Sequence, residues 1–279
     1  MKIVVVGALG VVGSAVAIYF KSFGHDVILN DIVKKDGVCT DLTECLGNED
    51  FVFVCVPTPS NKDGSIDISI VENVTKQIAG ISHNKRHNPN VVYKSTVVPG
   101  TTRKMADILT SMCKDAKVAF NPEFLRQKYA LEDMMKPSRV VVGSDDIGFA
   151  SAVMSLYEET DAPKFGVPSY EEAELIKYYA NCYYAARISF FNQMKLLADY
   201  HGCNHDRLVD VVIKDKTVGV HGSNPTGQSY GGACLPKDVS AITIHAKELG
   251  IYCDLLSSVS TINKMYKIRL ENSKINNWL

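Results

Sequence analysis

A doubly wound, mostly parallel α/β sheet followed by a smaller all-helical domain is the fold class this sequence predicts. Three observations carry it. Seven short runs with strand character lie at 2–6, 26–29, 51–56, 91–94, 118–121, 140–143 and 164–167. Most are apolar throughout, without polar alternation, as strands covered on both faces of a sheet should be. Helical stretches such as 14–22 and 102–113 separate them, which argues for parallel βαβ units, and past Pro168 the strand signals stop.

Taken in order, Ile3, Val4, Val5 and Val6 open the chain as a strand, and a glycine-rich turn leads into the helix at 14–22. The run Phe51-Val-Phe-Val-Cys-Val56 makes Cys55 a core residue. The polar stretch 82–90 is expected as a solvated surface connection. Ser169, followed three residues later by Glu172, resembles a capping box and precedes a long segment, 170–202, rich in Ala, Leu, Tyr and Phe. Further helices are expected at 239–249 and 254–273. In the last, Leu255, Leu256, Val259, Ile262 and Met265 recur at helical spacing. The expected domains are 1–167 and 168–279.

The 279 residues, 46% of them hydrophobic, suffice for one large domain or two ordinary ones. A net charge of −1 gives no basic surplus for nucleic acid or an anionic membrane. No apolar run is long enough to cross a bilayer, and Met1-Lys2 leads directly into a strand, so neither a membrane span nor a signal peptide is expected. The eight cysteines form no CxxC pair, so no metal site and no disulfide framework is expected, and a reducing cytoplasm is the expected compartment.

Glycines at 7, 10 and 13 follow the first strand and precede a helix. Glycine is needed where a chain turns sharply and where backbone N–H groups approach a pyrophosphate at a helix N-terminus. Asp31 closes the next strand, where a carboxylate can accept from a ribose hydroxyl and repel a 2′-phosphate. This context predicts a Rossmann-type NAD site, with Lys34 and Lys35 leaving NADP as the minority reading.

Polar groups also gather where strands should end: Thr58 after Cys55-Val-Pro, Thr96 in Lys94-Ser-Thr96, and Glu123 in Asn121-Pro-Glu-Phe-Leu125. Open parallel sheets bind ligands beyond such ends, although each segment alone fits turn chemistry. Lys177 and Asn181, four residues apart, share one helix face. His201 and His205 have the same spacing, but lie in a polar stretch without a third ligand and are expected as an exposed turn. Gly231-Gly-Ala-Cys234-Leu-Pro-Lys237-Asp238 sets a thiol beside an ammonium and a carboxylate, directly after two glycines that permit close backbone approach. A neighbouring cation favours the nucleophilic thiolate.

These motifs, with Pro137-Ser-Arg139, resemble in content and order those of the nucleotide-sugar dehydrogenases of the UDP-glucose 6-dehydrogenase type, from Met1 to about Lys267. The resemblance implies two NAD-dependent oxidations of a primary alcohol to a carboxylate. Lys177 and Asn181 would hold the sugar oxygen, Asp238 would be the general base, and Cys234 would capture the aldehyde as a thiohemiacetal, later a thioester. Glu123 and Thr96 would position the hydrolytic water. The implied cofactor contacts are Gly7, Gly10, Val11, Val12, Gly13, Asp31, Lys35, Thr58, Thr96 and Lys237. The implied substrate contacts are Glu123, Phe124, Leu125, Lys177, Asn181, Tyr230, Gly231 and Cys234.

Departures are visible too. Family members carry a third, C-terminal domain that supplies much of the nucleotide site, beyond the stretch matched here. Gln127 stands where a second glutamate is usual, Thr217 replaces a substrate-binding arginine, and the loop 224–230 is one residue longer. Two other readings stand beside the family one: a single-step hydroxyacid dehydrogenase, for which Cys234 has no use, and a catalytically silent NAD-binding dimer. A homodimer is expected from the apolar stripe of the terminal helix, with a nucleotide sugar as the small-molecule partner.

Overall fold

The computed structural model describes residues 1–219, 228–232 and 234–276, with side chains to Glu271. The chain divides into two compact units: residues 1–59 with 66–177, and residues 60–65 with 178–279. The division expected from sequence, after 167, differs by the first two turns of one helix and one short loop.

The first unit is an eight-stranded sheet: β1 (Lys2–Val6), β2 (Asp26–Asn30), β3 (Val38–Cys39), β4 (Phe51–Val54), β5 (Asn90–Tyr93), β6 (Lys117–Phe120), β7 (Val140–Gly143) and β8 (Lys164–Val167). Their spatial order is β3-β2-β1-β4-β5-β6-β7-β8. All neighbours pair parallel except β6 and β7, whose single bridge is antiparallel. The order reverses between β1 and β4, the switch point beside which open sheets form a ligand crevice.

The continuous apolar runs have a direct explanation. Val4, Val6, Val52, Val54, Val91 and Tyr93 enter one core cluster, while Ile3, Val5, Phe51, Phe53 and Val92 enter the other. Successive strand side chains point to opposite faces, so both sets must be apolar when helices cover both. Each such burial contributes about 1.5–3 kcal/mol.

The covering helices are α1 (Val11–Ser22), α2 (Leu42–Cys45), α3 (Ser69–Asn84), α4 (Thr101–Met112), α5 (Ala130–Met135) and α6 (Ile147–Ser155). Helix α3 runs through Ser82, which is buried, so the expected surface loop 82–90 is shorter and begins only after Asn84. Ser69–Asn84 places Val71, Thr75, Ile78 and Ser82 on the sheet side at helical spacing, and this periodicity outweighs the polar composition of its end.

Helix α7 (Tyr170–Tyr200) begins as the capping signal predicts, with the Ser169 hydroxyl accepting from Glu172 N at 3.1 Å. The second unit continues with α8 (His205–Val212), α9 (Leu235–Glu248) and α10 (Asp254–Asn276). His205 is not in an exposed turn: it is buried on the first turn of α8, which is capped by Asn204 Oδ1 accepting from Arg207 N at 2.9 Å. A core of Cys182, Ala185, Tyr230, Val239 and Val259 holds this unit together. Along α10, Val259 is buried while Leu255 and Met265 are exposed. Among the described residues no helix is long and apolar enough to cross a membrane, and no group of three or more His, Cys, Asp or Glu is arranged to hold a metal.

Candidate active site

The turn between β1 and α1 is built around two of its three glycines. Gly7 has φ +81°, and a Cβ there would lie 2.8 Å from the Cys55 carbonyl oxygen. A Cβ on Gly13 would lie 2.1 Å from the Gly7 carbonyl oxygen. Gly10 is under no such constraint, since its Cβ would meet Gly7 O at 3.4 Å. The first helical bond is Ser14 N to Gly10 O, and Gly10 offers no side-chain cap. The N–H groups of Val11, Val12 and Gly13 are therefore left for an anion at the positive end of α1.

Asp31 follows β2 directly. Its carboxylate accepts from Leu9 N at 2.9 Å and Val33 N at 3.1 Å, which fixes it beside the turn. The open N–H groups of α1 with the glycine cradle suit a dinucleotide pyrophosphate, and the Asp31 carboxylate suits a ribose hydroxyl. Lys35 is exposed nearby in sequence. Thr58, past β4, donates to Thr96 O at 2.8 Å, and Ser95 Oγ donates to Val56 O at 2.7 Å, so the β4 and β5 ends are stitched together.

Beyond β6, Glu123 and Lys177 form a buried ion pair. Lys177 Nζ donates to Glu123 Oε1 at 2.8 Å and to the Glu123 carbonyl at 2.7 Å, with both side chains under 10% exposed. Glu123 Oε2 accepts from Leu125 N at 2.7 Å. Two of the three ammonium donors are thus used, leaving one for a ligand oxygen. Phe124 carries the Arg139 guanidinium 3.7 Å from its ring centroid and Lys177 Nζ at 5.7 Å. Lys94 lies beneath, donating to Asn121 Oδ1 at 2.8 Å; burial pushes it down to about 8, with Lys177 adding to the depression and Cys55 and Glu123 opposing it.

In the helical unit, Asn181 Nδ2 donates to Asp238 Oδ2 at 2.6 Å, and Lys237 Nζ stands 2.8 Å from Asp238 Oδ1. Asp238 is 1% exposed. Cys234 is the N-cap residue of α9, half-buried, at the helix end that favours an anion. Gly232 before it has φ +74°, open to glycine alone without strain, whereas Ala233 lies outside the described residues. Burial, with Asp238 nearby, pushes the neighbouring Cys182 thiol up to about 12, which leaves it inert. Tyr230 has its ring in the helical core, its N–H and C=O both bonded to Asn263, and its phenol raised by burial to about 12. Residues 224–227 of the longer loop lie outside the described residues.

The structure therefore assembles two polar centres, Lys177–Glu123 in the sheet unit and Asn181–Asp238–Lys237 in the helical unit. Sequence reasoning assigned nothing to Glu174 or to the stacking of Arg139 on Phe124. The close spacing of Glu174 and Lys177 was the available signal for the first.

Residues 33–161 match the NAD binding domain of the UDP-glucose/GDP-mannose dehydrogenase family, and residues 171–265 match its central domain. GDP-mannose 6-dehydrogenase of Pseudomonas putida is 34% identical over 81% of this chain and 53% of its own length. The enzyme of the same name from Pseudomonas savastanoi pv. phaseolicola is 32% identical over 94% of this chain and 68% of its own. A solved UDP-glucose dehydrogenase from Pyrobaculum islandicum superposes with a TM-score of 0.88 at 32% identity, covering 95% of this chain and 68% of that one. The chain thus spans only about half to two thirds of its relatives' length.

Proposed function

Because the chain belongs to the UDP-glucose/GDP-mannose dehydrogenase family, we propose that it oxidises the primary alcohol of a nucleotide sugar to a carboxylate in two steps, as from UDP-glucose to UDP-glucuronate. The N–H groups of Val11, Val12 and Gly13 and the Asp31 carboxylate would hold NAD, which when bound would supply the hydride acceptor for each oxidation. Two observations carry the reading: a buried Lys177–Glu123 centre in the sheet unit, and a buried Asn181–Asp238 centre in the helical unit that is next in sequence to a helix-capping cysteine.

Asp238, oriented by Asn181, takes the hydroxyl proton as hydride leaves the carbinol carbon. Lys177 and Asn181 stabilise negative charge on the substrate oxygen; a preorganised donor of this kind is worth about 10²–10³ in rate. The Cys234 sulfur then adds to the aldehyde carbon, and its proton ends on the former carbonyl oxygen, giving a thiohemiacetal. Loss of the second hydride and of that hydroxyl proton leaves a thioester. A water positioned by Glu123 and Thr96 adds to the thioester carbon, releasing the carboxylate and restoring the thiol. A reducing cytoplasm would keep that thiol available.

A homodimer belongs to the same reading. Tyr179, Tyr183, Phe190, Met194 and Leu197 recur along one exposed face of α7, and between α7 and α8 lies an apolar groove of about 300 Å³. Exposed apolar stripes of this size mark association surfaces.

The test is incubation of the purified chain with NAD and a panel including UDP-glucose and GDP-mannose, with NADH absorbance as readout. NADH with one of them supports the proposal. No NADH with any, while NAD binding is measurable, rejects it.

A further inference from the structure

Helix α4 starts at Gly100, whose φ of +90° and missing side chain leave the helix without a cap of its own. The cap comes from 74 residues away: Glu174 of α7 accepts from Gly100 N at 2.7 Å through Oε2 and from Thr102 N at 2.8 Å through Oε1. Glu174 is 0% exposed, and among the described residues it has no ion-pair partner. Taking an unpaired carboxylate out of water costs stability, so local stabilisation does not explain a glutamate here. Burial pushes it up to about 7 despite the Thr102 and Gly100 donors, with Glu171 on the same helix adding to the rise.

What the carboxylate does instead is fix a helix. The first turns of α7 sit closely on the sheet unit: a Cβ on Gly143 would lie 2.4 Å from Ser169 O and 2.6 Å from Ala173 Cβ. Arg103 of α4 adds a bond to Glu171 Oε1 at 2.6 Å. Lys177 follows Glu174 by three residues, on the same helix face and about 4.5 Å further along the axis. We propose that Glu174 is a positioning residue for the reaction: seated on the α4 N-terminus, it sets where Lys177 stands over Glu123.

The inference rests on the assignment of Lys177 to the substrate oxygen, and its test separates the two. Trace acetylation of the folded chain with acetic anhydride, read by peptide mass spectrometry, reports how well Lys177 Nζ is held. Glu174→Gln keeps the shape and one acceptor but replaces the other with a donor. It is expected to raise the Lys177 labelling rate at least fivefold, and to lower kcat at least tenfold with KM within threefold. Glu174→Ala moves both further in the same direction. Glu49→Gln is the control for a merely structural role. It removes another buried carboxylate of the sheet unit from the Gly47 and Asn48 N–H groups, and should change both readouts less than twofold. NAD affinity and far-ultraviolet circular dichroism verify that each variant is folded. If Glu174→Gln labels Lys177 within twofold of wild type, the positioning role is wrong. A wild-type chain that makes no NADH, yet whose Lys177 responds to Glu174→Gln, rejects the reaction and upholds the positioning.

Discussion

Replacing Gly13 with alanine gives the sharpest test of the cofactor turn. The new Cβ would lie 2.1 Å from Gly7 O, 2.8 Å from Gly7 C and 3.0 Å from Ala8 Cα. Reaching ordinary van der Waals contact needs a separation larger by about 1 Å. Gly7 cannot supply it, because its N–H is held by Asn30 O at 2.9 Å and the Cys55 carbonyl stands behind it. The displacement must fall on the start of α1, moving the N–H groups of Val11 and Val12. Overpacking of this kind costs about 1–3 kcal/mol of stability. With the anion-facing donors displaced, NAD affinity should fall roughly 10- to 100-fold, about 1.4–2.8 kcal/mol. Gly10→Ala is the matched control: its Cβ meets Gly7 O at 3.4 Å, and its φ of −69° suits alanine, so stability should be unchanged or slightly raised. Thermal unfolding and calorimetric titration with NAD measure both. A Gly13→Ala chain that binds NAD like wild type, or a Gly10→Ala chain destabilised as much as Gly13→Ala, would refute the steric account.

Other expectations follow from the same geometry. A carboxyl raised from 4.5 to about 7 by folding contributes stability that is fully present below pH 4.5 and lost as pH rises through 7. Between pH 5 and 8, therefore, the unfolding free energy of Glu174→Gln should gain on wild type by up to about 3 kcal/mol; parallel pH profiles would show that Glu174 is not buried in its charged form. Leu197→Glu, placed on the exposed α7 face, should shift a dimer to monomer in light scattering without changing the circular dichroism spectrum. An unchanged mass would remove that face from the interface.

Much of this was legible because the sheet is covered on both sides: 2–6, 140–143 and 164–167 are read from sequence with the bounds they have in the structure. Strand β3 was not, because Val38–Cys39 is two residues long and exists only through pairing with Leu29 and Asn30. Helix α8 was hidden by the polar residues around His201 and His205; the burial of His205 depends on a groove the sequence does not display. The glycine turn announced itself through local backbone needs. Glu174 did not, since its partners are two backbone N–H groups more than seventy residues away and backbone donors leave no trace in composition. Residues 60–65 show the same limit: they look like a loop of the sheet domain, yet Gly64 lies against Ser240 of α9, where a Cβ would come within 2.3 Å of its hydroxyl.

The covalent role of Cys234 is tested most directly by counting NADH formed per nucleotide sugar consumed, in wild type and in Cys234→Ser. Two NADH per sugar in wild type, and at most one in the serine variant with aldehyde accumulating, is the predicted result. One NADH per sugar in both, at similar rates, would contradict capture of the aldehyde by this thiol.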